Sequence, residues 1–98
     1  MSIREKLGET FGLAASHNNL GLIYGRQGDA EQAIHHFQES LRLFEKIGNR
    51  HGLARVHDNL SQVYMNRGEK ENAMECLMKA VALLAEIRVD GAHIIPDL

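Results

Sequence analysis

The chain nearly repeats itself after 40 residues, and no other feature of it restricts the fold so strongly. At that offset Gly12-Leu13-Ala14 falls on Gly52-Leu53-Ala54, His17 on His57, Asn19-Leu20 on Asn59-Leu60 and Tyr24 on Tyr64. Gly28, Glu31 and Ala33 fall on Gly68, Glu71 and Ala73, and Leu43 and Ile47 on Leu83 and Ile87. Glu5, Lys6 and Gly8 meet Glu45, Lys46 and Gly48. In all, 15 of 58 aligned pairs are identical, and Ile23/Val63, Asp29/Glu69 and Phe37/Leu77 are conservative. A repeat of this length is a small unit of secondary structure that buries its apolar face against its own copies.

Inside each unit the apolar residues recur at helical steps. Leu13, His17, Leu20, Gly21 and Tyr24 stripe one face of a first helix, and Ala33, Ile34, Phe37, Leu41, Phe44 and Ile47 stripe a second. The second unit follows with Leu53, Val56, Leu60 and Tyr64, then Ala73, Met74, Leu77, Val81, Leu84 and Ile87. No segment alternates with period two over a useful length. The pattern predicts an all-α chain: a stub over 2–7, then helices over 10–26, 30–47, 50–66 and 70–88. Gly8, Gly28, Gly48 and Gly68 fall every 20 residues and read as helix boundaries, with Asn49 placed to cap the third helix. The tail from Val89 to Leu98 reads as irregular, since Ile95-Pro96 disfavours helix. The organisation is one domain over 1–98: a remnant of a preceding helix (1–8), two repeats (9–48 and 49–88) and a tail (89–98).

Composition narrows the functional classes. One cysteine in 98 residues cannot form an internal disulfide or a four-cysteine zinc site. A net charge of −2 offers no long-range attraction to phosphate, which argues against nucleic acid as a partner. The N-terminus has charges at Arg4, Glu5 and Lys6 with no apolar segment behind them, and the longest apolar run is Ala80–Ala85. No secretory signal and no membrane span are expected, which makes the cytoplasm the default location. Six histidines raise a metal reading. Adjacent His35 and His36 diverge on a helix, however, and His17 and His57 repeat with the scaffold as packing residues. Cys76 reads as a semi-buried structural thiol. No nucleophile–base set and no phosphate loop stands at the required spacing, so neither catalysis nor a cofactor is expected.

The signature Leu20-Gly21-x-x-Tyr24, Gly28-Asp29, Ala33-x-x-x-Phe37 resembles a tetratricopeptide repeat, and so does Leu60-Ser61-x-x-Tyr64, Gly68-Glu69, Ala73-x-x-x-Leu77. The resemblance covers about residues 10–88. His17 and His57 replace an aromatic that is frequent early in the first helix, and the proline often found after the second helix is absent. A period of 40 resembles the longer repeats of kinesin light chain and of regulators that bind peptide segments of spindle and G-protein partners. It also resembles that of bacterial sensors for short signalling peptides. The resemblance implies antiparallel helix pairs stacked as a short right-handed α-solenoid. It also implies a concave face, lined by the first helix of each pair, that takes an extended peptide or a partner helix.

The positions expected to line that face are Asn18, Asn19, Leu22 and Arg26 in the first copy and Arg55, Asp58, Asn59, Gln62 and Asn66 in the second. Asn19 and Asn59 both precede the signature Leu, where relatives use an asparagine to hold a peptide backbone. An amide offers donor and acceptor side by side, so it can grip a peptide bond or equally bond within the scaffold. Arg26, Arg55 and Asn66 can meet a carboxylate, while Asp58 speaks against a purely basic groove. These residues suit a protein-interaction adaptor; a self-assembling module and a peptide sensor are the alternatives. Two repeats are few for an array. The chain is therefore either a stretch of a longer one or a homo-oligomer, a dimer or larger, that covers its apolar ends with its own copies.

Overall fold

The computed structural model describes residues 3–94, with side chains from 3 to 88. Its four helices are α1 (Ile3–Arg26), α2 (Ala30–Lys46), α3 (Arg50–Asn66) and α4 (Lys70–Ile94), and the described residues contain no strand. Three turns of one design join them. Gly28, Gly48 and Gly68 hold φ of +82°, +67° and +81°, the left-handed region that glycine enters without a Cβ clash. The residue after each glycine sends its N–H back to the last turn of the helix: Asp29 to the Tyr24 carbonyl, Asn49 to Phe44 and Glu69 to Tyr64, all at 2.9 Å. That closure satisfies carbonyls the helix end would otherwise leave open. The same residue then begins the next helix. Asp29 accepts from the Gln32 N–H at 3.2 Å and Asn49 from the Gly52 N–H at 2.8 Å.

Both outer helices are longer than their periodicity suggested. Gly8 does not divide a stub from α1; one helix runs unbroken from Ile3. Glu5, Lys6, Leu7 and Glu9 around it are good helix formers, and a single glycine costs only about 1 kcal/mol among them. At the other end Arg88 stands where the repeat would place the stop glycine, so α4 continues to Ile94 and the irregular tail does not begin at Val89. Ile95 and Pro96 lie outside the described residues.

The helices pair as α1 with α2 and α3 with α4, and the two hairpins meet through α2 and α3. Glycine lets the partners close up. A Cβ on Gly21 would stand 2.6 Å from the Phe37 ring, and one on Gly52 would stand 2.5 Å from the Phe44 ring. Phe37, Phe44, Val56 and Leu60 are buried around these contacts. Phe11 meets Phe44 edge-on with ring centroids 5.7 Å apart. Fully buried Ser40 donates to the Ala14 carbonyl at 2.7 Å and so ties α2 to α1.

The buried stripe of α1 is not the expected one. Ala14, Asn18 and Gly21 are buried, while Leu13 is 51 % and Leu20 38 % exposed. The counterpart of Leu20 in the second repeat, Leu60, is only 3 % exposed. The difference is neighbourhood: α3 packs between α2 and α4, whereas α1 has α2 and a narrow contact with α3 and nothing in front. The other outer face is open in the same way, with Met74, Leu77, Val81 and Leu84 of α4 exposed. The result is a slab of 46 × 39 × 17 Å.

Candidate functional site

Alongside their shared contact with α2, the C-terminal halves of α1 and α3 flank a groove of about 460 Å³. Gly21 and Gly25 leave it room on the α1 side, and Phe37 and Val63 give it an apolar floor. Its rim is polar: Arg26 from α1 faces Asn59, Gln62 and Asn66 from α3. None of the lining residues is Asp or Glu. The guanidinium of Arg67 at one edge is held by Glu69, Nε to Oε2 at 2.8 Å. The groove is therefore a cationic, amide-rimmed slot over an apolar base.

The expected groove residues divide into two sets. Leu22, Arg26, Asn59, Gln62 and Asn66 come together in this groove. Asn19, Arg55 and Asp58 do not; they are exposed outside its lining. Asn18 belongs to the scaffold. It is 7 % exposed, and its Oδ1 accepts from Asn59 Nδ2 at 3.0 Å. That bond orients the Asn59 amide at the groove wall and leaves it a second N–H and its Oδ1. An offset of 41 rather than 40 between these two asparagines hides the pairing from a simple repeat comparison.

The histidines form a feature that spacing did not disclose. His17 of α1 and His36 of α2 approach Nδ1 to Nδ1 at 3.0 Å, and their rings stack. Tyr24 stacks on His36 at 5.4 Å with an angle of 2°. Burial and the neighbouring His17 and His35 push the His36 pKa down, against the pull of Glu39. Burial, and then Lys79, also lowers the pKa of His57, whose Nδ1 is buried without a hydrogen-bond partner. Among the described residues no three His, Cys, Asp or Glu side chains converge as a metal site would need. Cys76 is buried in α4, and that burial pushes its thiol pKa up.

Among the described residues no helix is long and apolar enough to cross a membrane. Comparison with curated proteins and with solved structures finds no match. A family model for the tetratricopeptide repeat matches residues 12–86, from the Gly12 face of α1 into the second half of α4. This family typically serves protein–protein interaction without catalysis. The glycine turns and the small-to-aromatic contacts all lie within that match, and the chain belongs to the tetratricopeptide repeat family.

Proposed function

We propose that the chain is a protein-interaction module whose groove between α1 and α3 takes an extended peptide carrying a carboxylate. Asn59 holds a peptide bond of the ligand, Arg26 meets the carboxylate, and the apolar floor at Phe37 and Val63 receives one apolar side chain. The observation that carries this reading is the Asn18–Asn59 hydrogen bond at 3.0 Å, which pre-orients an amide on the wall of a slot without acidic lining residues. Pre-orientation reduces the ordering cost of binding. Gln62 and Asn66 extend the amide rim along the ligand. Asn19, Arg55 and Asp58 contribute nothing to this groove.

The test uses peptides selected from a displayed random library on the wild-type protein. Acidic or free-carboxylate sequences are the expected winners. Calorimetric titration of a winner into Asn59→Ala and into Arg26→Ala should show affinity falling about tenfold in each, the equivalent of about 1.4 kcal/mol. Winners without a carboxylate, or unchanged affinity in both variants, would overturn the reading.

A further inference from the structure

In the junction between the two hairpins, the Phe44 ring of α2 lies so close to Gly52 of α3 that a Cβ there would stand 2.5 Å away. One repeat earlier the glycine is kept and the ring is missing. Gly12 stands inside α1, and a Cβ added to it would meet nothing within 4 Å. A glycine inside a helix costs about 1 kcal/mol against alanine, and nothing within the chain requires this one. One repeat later the ring's counterpart is present and the glycine is missing: Leu84 of α4 is 53 % exposed. The polar pair behaves alike. Asn59 donates to Asn18 inside the chain, while Asn19, the counterpart of the donor, and Asp58, the counterpart of the acceptor, are both exposed.

We infer that copies of this chain stack head to tail, α4 of one on α1 of the next, in the register that α2 and α3 keep within the chain. Leu84 then seats on the next copy's Gly12 as Phe44 seats on Gly52. The next copy's Asn19 donates to Asp58 as Asn59 donates to Asn18, now to a charged acceptor. Leu20 of the next copy acquires the cover that Leu60 already has, and Leu77 and Val81 acquire a partner helix. The long outer helices fit the same register. α1 begins at Ile3, ahead of Thr10, the counterpart of α3's first residue; α4 ends at Ile94, beyond Glu86, the counterpart of α2's last. Because the stacked helices are antiparallel, both overhangs fall at the same end of the junction. Exposed Leu20 on α1 and exposed Leu77, Val81 and Leu84 on α4 leave apolar surface for such a contact.

The contact is heterologous, so each added copy presents a fresh open face and growth does not stop at a dimer. Each junction also sets Gln62 and Asn66 across from the next copy's Asn19 and Leu22, which continues the groove along the stack. The stacking stands whether or not the groove binds a peptide.

Sedimentation velocity on the 98-residue chain at increasing concentration tests it. The wild type should grow in average mass past the dimer. Gly12→Lys fills the seat with a good helix former whose Cβ meets nothing within 4 Å in the single chain; Val81→Glu blocks the opposite face. Each variant alone should remain monomeric, its association weakened about tenfold or more, and an equal mixture should form a heterodimer and no larger species. Circular dichroism at concentrations low enough to keep the wild type monomeric should show helix content and melting temperature of Gly12→Lys no lower than wild type; Leu20→Glu is the second block of that face. A wild type that stays monomeric, a dimer that survives Gly12→Lys and Leu20→Glu but not Val81→Glu, or a mixture that does not pair would overturn the proposal.

Discussion

The pairing of His17 with His36 works only while at least one ring is neutral. A 3.0 Å Nδ1–Nδ1 hydrogen bond needs a donor and an acceptor, and two imidazolium rings supply only donors. Burial and the two neighbouring histidines depress the His36 pKa in the folded chain, and burial and Lys79 depress that of His57. The unfolded chain therefore binds more protons than the folded one in this range, and stability rises with pH. The contribution is complete above the unfolded value of about 6.5 and is lost as pH falls through the depressed folded values. Melting curves from neutral to mildly acidic pH should show a falling melting temperature. His36→Phe, which keeps an aromatic ring beside Tyr24, should flatten part of that fall. Little of this was legible in the sequence. His17 repeats as His57 and reads correctly as a packing residue, but its partner His36 aligns with Cys76, so no repeat comparison marks the pair.

Packing of one helix on another is where the two repeats differ instructively. α1 offers Gly21 to Phe37 of α2; α3 offers Ser61 where α4 brings Leu77. A side chain gained on the first helix goes with an aromatic ring lost on the second. Gly21→Ala should therefore destabilise the fold, because its Cβ would meet three atoms of a ring that is only 1 % exposed. Overpacking costs about 1–3 kcal/mol, and the better helix propensity of alanine offsets about 1 kcal/mol of it. Adding Phe37→Leu should recover part of the loss, so that urea denaturation of the four chains gives a non-additive cycle. Element by element the helices were readable: the glycine turns and the Asn49 cap lie where the repeat placed them. The overhangs were not. Gly8 resembles the stop glycines in spacing, and Glu9 follows it as Glu69 follows Gly68, so the residue after the glycine does not mark that the helix runs through the first and stops at the second.

At the scale of the molecule, each hairpin touches only its neighbour, so stability is distributed along one axis. α2 and α3 have partners on both sides, while α1 and α4 each leave one apolar face open. Hydrogen exchange at concentrations low enough to keep the chain single should find the slowest amides in α2 and α3, with the outer halves of α1 and α4 opening first. The misread stripe of α1 belongs to this scale. Leu13 and Leu20 repeat as Leu53 and Leu60, and the sequence carries no mark that the first pair lacks the neighbour that covers the second. The Gly21–Phe37 contact also fixes where the chain could be lengthened by gene duplication. A tandem copy cut at Gly8 and Gly48 carries each small residue together with its own large partner. A copy cut at Gly28 and Gly68 would set Ser61 beneath Phe37, a side chain where the ring tolerates none. The heritable unit is thus the hairpin that opens on α1, and its reading frame is kept by one glycine and one phenylalanine.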